Sequence, residues 1–330
     1  MHMPSPYPWT PVDPLGEALH AIRMEGAFYV SSEFREPWSL QMPPFEDCVS
    51  LHAVITGTCW IDVPGAPPVE LRPGDFALVA HGLGHRMFSA QPAPLTERVD
   101  LVPHDVVSEH YHQLRYGGRG ALCTMMCGIV SFGHPLAREV LALLPPVVHI
   151  SGVERVANGR MQTTLDLLAA EAREPSPGGE AVITRLADIL VVQTIRWWIA
   201  SEPRAERGIV AALRDPQIGR AILAVHRNPG ENWTVAAMAD CAAMSRSSFS
   251  ERFTRLVGTT AIRYVSHLRM QHAAAALKDG DPRSLAQMAS DFGYGSEAAF
   301  HRAFKSMVGV APGSMRRSGS QHRVMAPGQP

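Results

Sequence analysis

One stretch of this chain occurs twice. Residues 234–244 (TVAAMADCAAM) match residues 284–294 (SLAQMASDFGY) at an offset of 50, and after one additional residue, Gly295, the match resumes at an offset of 51. Ser245 then aligns with Ser296, Phe249 with Phe300, Phe253 with Phe304, Val257 with Val308 and Gly258 with Gly309. Each copy reads as helix, tight turn, helix. Thr234 and Ser284 suit the first N-cap, because a side-chain oxygen accepts an orphan N–H of the first turn. Ser284 with Gln287 has the capping-box spacing, and Trp233 with Met238 that of a hydrophobic staple. Ala239 and Ala289 are small where the helices cross, Ala243 and Gly293 fall at the turns, and Ser245 and Ser296 cap the second helices. Their Phe pairs at i, i+4 give one buried face. The opposite face is left free to enter a major groove.

Between the copies, residues 261–277 predict a helix closed by Gly280 as C-cap. A continuous helix there holds the two units in one relation, so that two recognition helices could reach successive turns of a major groove about 34 Å apart. Charge follows the same division. From residue 216 onward there are 14 Lys/Arg against 7 Asp/Glu, a net of +7, so the remainder of a chain with net charge −1 carries −8. A basic segment of this kind points to a polyanionic partner.

The rest of the 330 residues leaves room for further domains. The first 135 residues predict short strands at Ala27–Val30, Cys48–Ile55, Cys59–Val63, Phe76–Ala80, Arg86–Phe88 and Leu122–Val130, separated by Gly and Pro turns. That spacing favours a barrel or sandwich over a parallel sheet. From 136 to 210 the pattern turns helical, with candidates at Pro135–Leu144, Arg155–Arg173 and Glu180–Ala200. In the last of these, Ile183, Leu190 and Trp197 recur every seven residues with Leu186 between them, a stripe that either packs onto its own domain or forms a dimer seam. Residues 201–207 read as a linker and residues 318–330 as a disordered tail. No apolar run reaches the ~18 residues of a membrane span, and the first residues lack the pattern of a secretory signal. The five cysteines do not form a disulfide framework by count or spacing, which suits a reducing cytoplasm.

Residues 289–305 (ASDFGYGSEAAFHRAFK) and 308–312 (VGVAP) resemble the AraC/XylS family of transcription regulators. Upstream, Asp13-Pro14-Leu15, Pro73-Gly74-Asp75, His81-Gly82, His134-Pro135-Leu136 and residues 215–219 (DPQIG) resemble the subset of that family with a cupin-type sensor. The resemblance implies a multidomain α+β bacterial protein. Residues 1–135 would form a cupin-like effector-binding β-barrel and residues 136–210 a helical linker and dimerisation segment. Residues 216–317 would form an all-α DNA-binding domain with helix-turn-helix units at 234–257 and 284–308. Its partners would be double-stranded DNA, RNA polymerase, a small-molecule or metal effector and a second copy of the chain, with no membrane involved. On the outer faces of the second helices, Arg246, Ser247, Ser250 and Glu251 in one copy and Glu297, Ala298, His301, Arg302 and Lys305 in the other are the candidate DNA contacts. Arg302 is the foremost base reader, because a guanidinium pairs bidentately with guanine. Glu251 stands where family members commonly carry a basic residue, so a carboxylate there would accept from a cytosine amino group or orient Arg246.

A barrel interior can hold a ligand or a metal. Candidate ligands are His52, His81, His85, Cys123 and Cys127, and the set His81, His85 and Cys127 would suit zinc or another divalent ion. Cys123 and Cys127, four residues apart on one strand, are about 13 Å apart and cannot share a site. Two other readings stay open. One is a metal-dependent cupin enzyme fused to a DNA-binding domain, although His52-Ala53-Val54 lacks the second histidine of a His-x-His pair. The other is a barrel that only dimerises and senses nothing. No nucleophile elbow, phosphate loop or paired-carboxylate motif occurs.

Overall fold

The computed structural model describes residues 14–20, 24–93, 95–132, 135–152, 159–173, 177–201, 208–278 and 280–317. They form two compact units, one made of the described residues between 22 and 202 and the other of those from 208 to 317 together with residues 14–20. The expected tail at 318–330, most of the linker at 201–207, Asp13 and His134 lie outside the described residues.

The sheet unit begins with β1 (Met24–Arg35), β2 (Ser39–Met42), β3 (Cys48–Thr56) and β4 (Cys59–Asp62), followed by β5 (Val69–Leu71), β6 (Phe76–Val79) and β7 (His85–Phe88). After these come β8 (Glu97–Arg98), β9 (Asp105–Val106), β10 (Tyr111–Gly117), β11 (Leu122–Phe132) and β12 (Val147–Ile150). Seven strands lie in the order β12-β6-β3-β11-β1-β10-β9 and five in the order β5-β4-β7-β2-β8. The core takes residues from both sheets, among them Phe34, Val54, Ala77 and Met125 from the larger and Leu40, Cys59, Ile61 and Met87 from the smaller. β3 is buried almost throughout because it sits between β6 and β11, and its Val, Leu and Ile content suits a central position. All six expected strands are present.

The domain limits differ from the expectation in two ways. β12 pairs antiparallel with β6, from Val147 opposite Val79 to Ile150 opposite Phe76, so the sheet continues past residue 135. Its four residues (VVHI) are an edge strand inside a helix-rich stretch, too short for periodicity to separate the two. Asp75 pins this extension: its carboxylate accepts from Arg72 N at 3.0 Å, Gly152 N at 2.8 Å and His149 Nε2 at 3.1 Å. At the other end, α1 (Pro14–His20) belongs to the helical unit, whereas the expectation has residues 1–135 in the sheet domain.

Helices α2 (Pro135–Leu141), α3 (Gly159–Arg173) and α4 (Gly179–Ser201) complete the sheet unit. α4 lies along α3 and touches β1 and β12. Ile183 and Leu190 of the expected stripe are buried in this domain and Trp197 is half-buried, whereas Val182 (45% exposed) and Ile189 (46%) face outward. The stripe therefore serves the core, and any seam uses the neighbouring face.

The helical unit contains α1, α5 (Ile209–Arg214), α6 (Pro216–Arg227), α7 (Val235–Ala242), α8 (Arg246–Val257), α9 (Ala261–Lys278), α10 (Leu285–Asp291) and α11 (Glu297–Val308). α1 rests on α5 and α6. Pro14 comes so close to Gly219 that a Cβ there would lie 2.6 Å from the proline Cβ, which is why glycine is required in the DPQIG segment. Asp215 caps α6 by accepting from the backbone of Gln217 and Ile218.

Candidate functional site

The duplicated segments fold as their caps dictate. Thr234 accepts from Ala237 N and Ser245 from Ser248 N; Ser296 accepts from Ala299 N; and Ser284 with Gln287 makes a complete capping box. The turns need a left-handed residue, supplied by Gly293 (φ 73°) in one copy and by Ala243 (φ 54°) in the other. Gly258 and Gly309 end the recognition helices in the same conformation.

The inward faces of α8 and α11 are held by Phe249/Phe253 and Phe300/Phe304, all with no exposed surface. α9 joins the two cores. Tyr264, near its start, packs edge-on against Phe253 at 5.7 Å between ring centres, while Met270, Ala273 and Leu277 enter the second core beside Phe300 and Phe304. One helix shared by two cores fixes the recognition helices relative to each other. Arg269, half-way along it, adds a clasp that the sequence did not reveal. Its guanidinium donates to Pro229 O at 2.8 Å and to Glu231 O at 2.7 Å, and it lies against Gly293 of the second turn.

The candidate DNA contacts all lie on these two helices. Arg246, Ser247 and Glu251 are exposed and Ser250 is half-buried; Glu297, Ala298, His301, Arg302 and Lys305 are exposed. Aligned by the repeat, Arg246 corresponds to Glu297 and Glu251 to Arg302, so the helices present opposite charges at matching positions. The neighbouring Arg252 is committed elsewhere, bonded to Asp215 at 2.5 Å and to Gln217 Oε1 at 3.0 Å, which anchors α8 to the start of α6.

In the sheet unit the expected metal ligands do not converge. His81 is exposed, and its Nε2 donates to Leu144 O at 2.8 Å. His85 and Cys127 instead meet His52, one from each side. Strand register is the reason: β11 pairs with β3 so that Cys127 stands opposite His52, while His85 reaches in from the other sheet. His52 Nδ1 is 3.2 Å from Cys127 Sγ, His52 Nε2 is 2.8 Å from His85 Nε2, and His85 Nδ1 is 3.1 Å from Leu83 O.

The tautomers follow from the carbonyl, which can only accept. His85 Nδ1 carries hydrogen, so its neutral Nε2 accepts from His52 Nε2–H; His52 Nδ1 then accepts from the Cys127 thiol. All three groups are held neutral. Burial, with the neighbouring His85 adding to it, drives the His52 imidazolium range well down, and burial alone brings that of His85 down to about 4. Burial raises the Cys127 thiol to about 12, against a hydrogen bond with Ser32 that lowers it. The two nitrogens of His52 thus point at different partners, Nδ1 at Cys127 and Nε2 at His85. Among the described residues no group of three or more His, Cys, Asp or Glu is placed to hold a metal. Cys123 takes no part in this chain of hydrogen bonds; its thiol is hydrogen-bonded to the free thiol of Cys59 in the apolar core.

A sheet domain joined to two rigidly coupled helix-turn-helix units, each with a polar recognition face, defines a DNA-binding regulator. Residues 13–200 match the cupin family and residues 238–318 a helix-turn-helix domain family. The chain is 31% identical to a putative AraC-like transcription regulator of Streptomyces lividans over 93% of its own length and 98% of the relative's. It is 29% identical to a putative AraC-like transcription regulator of Streptomyces antibioticus over 93% and 99%, and 28% identical to the RCS-specific HTH-type transcriptional activator RclR of Escherichia coli (strain K12) over 92% and 97%. The chain belongs to the AraC-like transcription regulators, with a cupin domain ahead of the DNA-binding one.

Proposed function

We propose that this regulator reads two different half-sites, one with each recognition helix, and that an effector acting on the sheet domain controls it. The observation that carries the reading is the inverted charge order on α8 and α11. Arg302 would pair with guanine and Glu251 would accept from cytosine, so the two grooves would be read by different bases. Arg302→Ala should weaken specific binding by about 1–3 kcal/mol and relax one base position. Unchanged affinity and preference would remove Arg302 from the base-reading set.

The sensing element in this reading is the Ser32–Cys127–His52–His85 chain, which runs from one sheet to the other. An effector that binds one state of the domain more tightly would shift its population and with it DNA affinity. Metal analysis of the purified protein, with His85→Ala and Cys127→Ser alongside, decides between a divalent ion and an organic effector. Stoichiometric metal lost in both variants means an ion; none in the wild type means an organic ligand. No catalytic step belongs to this reading.

The protein would work in the cytoplasm, contacting RNA polymerase, and no described helix is long and apolar enough to cross a membrane. It would dimerise through Val182, Ile189 and the half-buried Leu186 on the outer face of α4. Ile189→Glu should then give a monomer in sedimentation, and an unchanged mass would reject that seam.

A further inference from the structure

The helical unit has a second polar feature, set between the C-terminal ends of its recognition helices. A cleft of about 790 Å³ is lined by Gly258 and Thr259 after α8, by Arg263 and His267 on α9, and by Ser306 and Met307 at the end of α11. Arg263 and His267 are exposed and stand one helical turn apart. Among the described residues no carboxylate lines the cleft. Ser306 follows Arg302 by four residues and so shares its helix face, which puts the cleft on the side that the recognition helices present to DNA. Two helices in successive major-groove turns leave a stretch of sugar–phosphate backbone between them, facing whatever joins them. Here that element is α9.

We propose that this cleft holds a backbone phosphate of the DNA segment between the two grooves. Arg263 is its charged contact, and His267, Thr259 and Ser306 are its hydrogen-bonding ones. A guanidinium beside hydroxyls matches the geometry and charge of a phosphate. Such a contact carries no sequence information and sets the register of both helices on the duplex. The proposal rests on the reading that α8 and α11 face DNA together, and its signature differs from that of a base contact.

The test uses the full chain, with affinity measured by fluorescence anisotropy over a range of salt. One probe is a random-sequence duplex long enough for both helices; the other is a duplex selected by the wild-type protein. Arg263→Gln should weaken binding to both duplexes by the same several-fold factor and reduce the slope of log affinity against log salt by about 0.9. Adding His267→Gln should weaken both further, while Arg263→Lys should retain the slope. Arg119→Gln, an exposed charge on the sheet unit, should change neither quantity. Arg302→Ala should weaken only the selected duplex; if it weakens neither, the reading of α11 fails independently of the cleft. The proposal is overturned if Arg263→Gln leaves slope and affinity at wild-type values, or if its loss is confined to the selected duplex. It is also overturned if Arg263→Gln lowers the melting temperature at an unchanged salt slope, because Arg263 would then only offset the negative helix ends beside it.

Discussion

The two units of this protein place their polar groups in opposite ways. The helical unit buries aromatic pairs and keeps the charges of α8 and α11 outside, where they cost the fold little. The sheet unit carries a hydrogen-bonded chain inside, neutral at every link, and depends on it staying neutral. Charge can therefore vary freely on α8 and α11, as the exchange between Glu251 and Arg302 shows, but not around His52.

The largest effect that would break this contrast is expected in the aromatic cores. Phe304→Ala should destabilise the helical unit by about 3–5 kcal/mol through the cavity it leaves. Hydrogen exchange should show lost protection in α9–α11 and none in β3 or β11; loss in both units would mean that they unfold as one.

The next effect, by size, belongs to the sheet unit. Folding holds His85 neutral down to about pH 4, whereas the unfolded imidazole protonates near 6.5. Between those values the unfolded chain takes up a proton that the folded chain does not. The contribution of His85 is thus complete above about pH 6.5 and is lost as pH falls towards 4, in all about 3 kcal/mol. His52 acts in the same direction. A sheet-unit melting temperature that stays flat from pH 7 to 4 would contradict a neutral chain.

A smaller effect sharpens the comparison between the recognition helices. Glu251→Gln and Arg302→Ala should each alter binding by about 1–3 kcal/mol, at different base positions and without loss of stability. If both relax the same position, the two helices do not read separate half-sites. Smallest is Ala243→Gly, which should stabilise the first unit by about 0.5–1 kcal/mol by relieving a left-handed alanine. Destabilisation on urea unfolding would show that the alanine side chain packs usefully at that turn.

The helix-turn-helix units were legible because every device that builds them is local: a cap, a turn residue and an i, i+4 aromatic pair, each repeated. The outward faces of α8 and α11, where the proposed DNA contacts lie, followed from the same periodicity. The sheet interior was less legible. Cys127 meets His52 through strand pairing, 75 positions away, and His85 reaches it from the other sheet, 33 positions away, whereas spacing along the chain favoured His81. Likewise, nothing within residues 14–20 marks α1 as part of the helical unit; the reason lies at Gly219, where a missing side chain makes room. Arg269 was hidden because its partners are backbone carbonyls, which no residue pattern records.

Selection of binding sites from a random duplex library, with the whole chain as bait, tests most directly that one rigid body reads DNA with two unlike helices. The expected result is two conserved blocks of different sequence, with centres about 10 bp apart, of which Arg302→Ala relaxes one position in one block. A single block, or two blocks that both survive Arg302→Ala unchanged, would contradict it.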